Sequence, residues 1–176
     1  MCVRAAALLV IGALLQGCAG YDLSPLNPSG TELSGTWVLD FAQSNSVADL
    51  GSMSQARGRL GSRREALRIA KGSDLEFVSV DFQVLKADKI QIELSKDSMG
   101  IRYFPGVYRD ISWGERQRGL WEVNAGWEEG NLLIISDAKD LQVIETLILD
   151  GDQLTIEVAI DGDGVEREVV RVFNRR

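Results

Sequence analysis

Residues 151–160 read "GDQLTIEVAI", Gly151 to Ile160. Leu154, Ile156, Val158 and Ile160 alternate with Gln153, Thr155, Glu157 and Ala159. A period of two puts the aliphatic side chains on one side of an extended chain, the pattern of a half-buried antiparallel strand. The same period recurs upstream, where Ile90, Ile92 and Leu94 alternate with Lys89, Gln91, Glu93 and Ser95. The lead-in recurs as well: Gly130-Asn131-Leu132-Leu133-Ile134-Ile135 repeats the Gly-[Asn/Asp]-x-Leu-x-Ile of Gly151 to Ile156, and Ala87 to Ile92 nearly matches. Glycine, asparagine and aspartate tolerate the positive φ of a tight hairpin, so each copy marks a turn followed by a strand.

Strands are predicted on this basis near 34–41, 75–85, 89–96, 99–104, 107–113, 119–128, 131–137, 141–149, 153–160 and 165–173. Between the first two, Ser62 and Glu65 have capping-box spacing and Gly72 suits a left-handed stop, so one short helix is expected there. A meander this long with one wet face per strand forms two layers or closes on itself, and closure alone removes the exposed edges. The expectation is an all-β fold: an antiparallel up-and-down β-barrel of about 8–10 strands with one short helix between the first two.

The N-terminus is organised differently. Arg4 precedes the apolar stretch Ala5 to Leu15, a secretory-signal pattern about half as long as a bilayer span requires. Leu15-Gln16-Gly17-Cys18 resembles the lipobox of bacterial lipoproteins, which implies removal of residues 1–17, lipidation of Cys18 and attachment to the membrane through that lipid. Ala19 after the cysteine implies, on the same resemblance, the periplasmic face of the bacterial outer membrane. Cys2 would leave with the signal, so no cysteine pair remains to form a disulfide. Residues 18–33, rich in Gly, Pro, Ser and Asn, read as the lipidated N-terminus and a flexible tether, and residues 34–176 as one barrel domain.

Charge and composition exclude much. The chain has a net charge of −7 and no histidine. An acidic chain carries no footprint for a nucleic-acid backbone, and without imidazole there is no Ser-His-Asp triad and no histidine-bound zinc. "DGDG" at Asp161 to Gly164 lacks the sixth-position glycine and twelfth-position glutamate of a calcium loop and reads as a turn. No cofactor, no metal and no catalytic residue is expected.

Gly35-Thr36-Trp37 at the entrance of the first strand resembles the Gly-x-Trp signature of the lipocalin and fatty-acid-binding (calycin) superfamily. That resemblance implies that Trp37 plugs the closed end of a barrel, with Gly35 before it and Arg171 or Arg175 of the last strand across its ring. The helix after strand one is similar to the fatty-acid-binding branch, in which an Arg-x-Tyr on the last strand holds a ligand carboxylate. Here the matching residues are Arg171-Val172-Phe173, an arginine without the tyrosine hydroxyl. Arg171 then either meets a ligand carboxylate, pairs with a glutamate of the neighbouring strand, or covers Trp37.

Trp113, Trp121 and Trp127, with Tyr103, Phe104 and Tyr108, could line an apolar cavity or fill a solid core. Arg63, Arg64 and Arg68 belong to a basic segment from Arg57 to Lys71, either a docking surface for an anionic partner or a solvated helix. The expected function is a non-catalytic, lipid-anchored barrel holding a small hydrophobic or fatty-acid-like ligand. The alternative is an envelope interaction protein with a packed barrel that docks another protein.

Overall fold

A computed structural model of the chain describes residues 21–45, 78, 80–139, 141–162 and 165–176. The expected helix at 62–72 and the signal peptide lie outside the described residues, as do Cys18, Arg63, Arg64 and Arg68. Ten strands form one sheet: β1 (Gly35–Leu39), β2 (Lys89–Leu94), β3 (Ser98–Phe104), β4 (Tyr108–Ser112), β5 (Gly114–Arg118), β6 (Trp121–Glu128), β7 (Asn131–Ala138), β8 (Leu141–Asp150), β9 (Gln153–Gly162) and β10 (Val165–Arg175). Their order is β4-β3-β2-β1-β10-β9-β8-β7-β6-β5, with every pair antiparallel. Because β1 pairs with β10, the meander rolls into a nearly closed barrel. The remaining seam lies between β4 and β5, which follow each other in sequence around Trp113 yet share no ladder.

The alternation that predicted the strands sets what faces inward. Leu154, Ile156, Val158 and Ile160 of β9 are buried, and so are Ile90 and Ile92 of β2, Leu132 and Ile134 of β7, and Val169 and Phe173 of β10. Each side chain of this size contributes about 1.5–3 kcal/mol by leaving water, so the inward face is the main source of stability. The β6–β7 hairpin has a two-residue loop in which Glu129 (φ 50°) and Gly130 (φ 88°) are both left-handed, as the mirror-image turn of a tight hairpin requires.

Two strand expectations are corrected. Residues 75–85 were expected as a strand, yet the described part is not one: the Phe82 N–H donates to the Val78 carbonyl at 2.8 Å, and Gln83–Leu85 form a 3-10 turn. The buried positions Val78, Phe82 and Leu85 recur at steps of four and three, a helical rather than an extended period. The tenth strand is instead β5, Gly-Glu-Arg-Gln-Arg, which has no apolar residue to announce it. It is an edge strand, exposed from Glu115 onward, and its charges guard the seam against pairing with another chain.

The stretch read as a tether is fastened to the barrel from Leu23 on. Ser24 and Trp127 exchange backbone hydrogen bonds at 2.9 and 2.8 Å, so the N-terminal segment continues the edge of β6 past the end of β5. A Cβ on Gly126 would stand 2.7 Å from Leu23 Cβ and 2.8 Å from the Ser24 carbonyl oxygen; only glycine lets this strap lie so close. Beside it Leu133 and Ile135, on the outward side of β7, are buried, which accounts for the unbroken apolar run Leu132-Leu133-Ile134-Ile135.

Candidate functional site

The two ends of the barrel are built from different chemistry. At one end β1 begins and β10 finishes. Trp37 is fully buried there and its indole Nε1 donates to the Leu33 carbonyl at 2.9 Å. The Arg175 guanidinium lies 4.2 Å from the centre of the Trp37 ring and donates to the carbonyls of Ser34 and Glu32 at 2.8 and 2.7 Å. Of the two arginines the sequence offered for Trp37, Arg175 therefore covers it. Gly35 (φ 141°) precedes Trp37, and a Cβ there would meet Arg175 at 3.0 Å. Trp113 and Trp127 belong to the same end, ring centres 6.1 Å apart. Trp127 Nε1 donates to Asn27 Oδ1 at 2.8 Å, and Trp113 Nε1 to the Lys96 carbonyl at 2.9 Å.

At the other end, beside Phe82, the interior becomes polar. Arg109 of β4 and Glu145 of β8 come from opposite walls and meet inside the barrel, with 2.5 Å between Arg109 Nη1 and Glu145 Oε2. Arg109 is 4% exposed and Glu145 1%. The hydroxyl of Tyr103, a buried side chain of β3, lies within the electrostatic reach of Arg109. Burial, with the Glu145 charge second, pushes the Tyr103 phenol up to about 12, so its hydroxyl keeps its proton. Burial also works against the Arg109 cation, but Glu145 and Tyr103 outweigh it and hold the guanidinium above its usual range.

Two buried atoms at this level have no hydrogen-bond partner, Arg109 Nε and Ser136 Oγ. Ser136 lies one inward step along β7 from Ile134, the residue directly opposite Glu145. Phe82 closes the group: its ring stands 5.4 Å from the Arg109 guanidinium and edge-on to Trp121 at 5.0 Å. Trp121 Nε1 donates in turn to Asp81 at 2.8 Å. Burial, and then the neighbouring Arg109 charge, lower the proton affinity of Arg118 on the rim, which Tyr103, Glu145 and Asp81 partly offset.

The residues singled out from the sequence thus go to different places. Trp113 and Trp127 sit at the Trp37 end, whereas Trp121, six residues and about 20 Å of strand away, sits at the Phe82 end. Arg171 is on the inward face of β10 and 3% exposed. It donates to the carbonyls of Asn45 and Ala87, each at 3.0 Å, and so clasps both ends of the β1–β2 connection to β10. Burial lowers its proton affinity and Asp88 supplies the nearest compensating charge. Phe173, one inward step along, is buried between Leu39 and Leu154.

Sequence reasoning missed Arg109, Glu145, Ser136 and Phe82. The signal was strand parity: Arg109 shares its side of β4 with Ile111, and Glu145 its side of β8 with Val143 and Leu147. Among the described residues no cluster of acidic or thiol groups could hold a metal ion. Two clefts formed by described residues open to solvent, one along β8, β9 and β10 beside Asp161, Glu166 and Glu168, the other where Tyr21 meets β5 and β6.

No family model matches the chain, and no curated protein sequence matches it. Solved structures do. Human cRBP IV aligns over 83% of this chain and 99% of its own at 20% identity, with a TM-score of 0.50. A secretary abundant heat soluble protein from Ramazzottius varieornatus aligns over 84% and 98% at 12% identity, TM-score 0.50. A luciferase domain from the dinoflagellate Lingulodinium polyedrum aligns over 89% of this chain and 46% of that one at 14% identity, TM-score 0.54. At these identities the likeness is one of fold, and the fold is the calycin-like ten-stranded β-barrel.

Proposed function

We propose that the protein is a non-catalytic barrel that holds a small hydrophobic ligand in its interior, at the Phe82 end. The observation that carries this reading is that Arg109, Glu145, Tyr103 and Ser136 all lie on the inward face of their strands toward the Phe82 end and are buried there, two of them with an unpartnered polar atom. An apolar pocket with a few convergent polar groups is the usual form of a small-molecule site. The similar fold of human cRBP IV supports it by analogy, while the luciferase domain shows that the fold also carries enzymes. The chain has no histidine, which leaves out mechanisms built on an imidazole.

The test is native mass spectrometry of protein purified from its own cells, followed by calorimetric titration with apolar compounds of increasing chain length. A copurified small molecule and saturable binding that Phe82→Trp weakens support the reading. No adduct and no heat with any compound would overturn it.

The lipobox-like stretch supports, as a further part of this reading, attachment through lipid on Cys18 at the periplasmic face of a bacterial outer membrane. Three Cα–Cα steps separate Cys18 from Tyr21, a reach of at most about 11 Å. Tyr21 lines one open cleft with Glu115, Gln117 and Glu122 of the β5–β6 hairpin, so on this reading that hairpin would be on the side nearer the bilayer. Labelling with a radioactive fatty acid, and its loss in Cys18→Ser, tests the anchor. A docking role draws on a different observation: Val80, Val107 and Leu120, all at the Phe82 end, are 58%, 46% and 73% exposed. Crosslinking in intact cells, with Leu120→Asp as the control, tests it.

A further inference from the structure

We propose that the Arg109–Glu145 pair, with Tyr103 and Ser136, is a receptor for an uncharged polar head, a hydroxyl or carbonyl at the end of an apolar chain, and that it rejects carboxylates. This inference rests on the interior-binding reading and specifies its ligand.

The argument is one of charge balance. A lone buried arginine invites a carboxylate, because a buried cation without a counter-charge is costly. Arg109 is not alone, since Glu145 reaches it from the opposite wall and both are at least nine-tenths buried. Arg118 and Asp81, the charged groups at the rim beside the pair, are likewise one of each sign. An incoming carboxylate would add a third buried charge next to Glu145 and leave one negative charge uncompensated. Arg171, the other buried arginine of the inward face, already has two guanidinium nitrogens on the carbonyls of Asn45 and Ala87.

Uncharged polar chemistry remains open. Arg109 Nε is a buried donor without an acceptor, and Ser136 Oγ a buried hydroxyl without a partner. Tyr103 keeps its proton and can donate as well as accept. A hydroxyl or carbonyl oxygen can accept from Arg109 Nε, and a hydroxyl can return its hydrogen to Glu145, with no net charge added. The rings of Phe82 and Trp121 supply apolar contact for the carbon next to the head.

The experiment is calorimetric titration of the whole protein with dodecanol and with dodecanoate at pH 8, where the acid is ionised. The wild type is expected to bind dodecanol at least about tenfold more tightly, a difference of about 1.4 kcal/mol. Glu145→Gln frees the Arg109 charge and should invert the preference. Should that variant fail to fold, the double variant Arg109→Met/Glu145→Leu removes both charges together; dodecanol, having lost the partners of its hydroxyl, should then bind at least about tenfold more weakly than to the wild type, and dodecanoate, whose carboxylate meets no cation there, should gain nothing. Wild-type preference for dodecanoate, an unchanged ratio in a folded Glu145→Gln variant, or an unchanged dodecanol affinity in the double variant overturns the inference and leaves interior binding standing. Binding of neither compound by any of the three proteins overturns both.

Discussion

At each end of the barrel an arginine lies against an aromatic ring, Arg175 on Trp37 and Arg109 on Phe82, and the two cations are satisfied in opposite ways. Arg175 spends its donors on two backbone carbonyls, and its ionic partner Asp152 is 87% exposed. Arg109 faces a carboxylate that is itself buried. Carbonyl dipoles cap a cation without bringing a second charge out of water, whereas a buried ion pair carries two desolvation penalties that its attraction offsets only in good geometry. The Trp37 end is therefore what stability alone would select. The Phe82 end carries charges that an aliphatic pair of similar volume would replace at no loss, and that makes it the end where function is to be sought.

The contrast can be broken from the Trp37 side first. Trp37→Ala removes a fully buried indole, its hydrogen bond to Leu33 and the ring under Arg175. It is expected to cost about 5 kcal/mol in urea unfolding, the largest effect of any single side chain here. Glu145→Ala leaves Arg109 buried with no counter-charge and should cost about 3–4 kcal/mol, while the double variant Arg109→Met/Glu145→Leu should be as stable as the wild type or more so. If the double variant is as unstable as the single one, the pair is a structural strut and the comparison fails.

Tyr103 sharpens the contrast through pH. Its pKa rises from 10.0 to about 12 in the folded chain, so above pH 10 the unfolded chain releases a proton that the folded chain retains. Its contribution is complete below pH 10 and is lost as pH rises toward 12, a loss of about 2 kcal/mol by pH 11.5. Unfolding free energies from pH 9 to 11.5 should show that slope, and Tyr103→Phe should flatten it. The smallest effect is at the strap: Gly126→Ala places a methyl group against Leu23 and Ser24 and should cost about 1 kcal/mol. Chymotrypsin should then cut the N-terminal segment several-fold faster with the barrel intact.

How much of this was legible varies with what each residue reports. Period-two alternation gave the strands because an inward aliphatic and an outward polar residue differ in kind, as Leu154 and Thr155 do. It could not give β5, whose five residues contain no apolar side chain, and it misled at 75–85, where β-branched and aromatic residues lie on a helical period. Gly35-Thr36-Trp37 located the closed end because a signature of that kind encodes a local geometry, a left-handed glycine before a buried ring. The polar interior was hidden by the assumption that charged residues face water. Parity alone put Glu145 with Val143 and Leu147, but its partner Arg109 lies 36 residues earlier in the chain, and only the rolled sheet brings them together.

That roll has a mechanical consequence. Since β4 and β5 share no ladder, the sheet is a split ring, able to widen at the cut without parting any strand pairing among the described residues. Its circumference is fixed by what spans the gap among the described residues: at one rim Asn27, which accepts from Trp127 and donates to the Ser95 carbonyl, with the neighbouring indoles of Trp113 and Trp127, and at the other a guanidinium gripping a carboxylate across the bore. A guest that loosens that grip would let one mouth dilate while the opposite rim stays cinched.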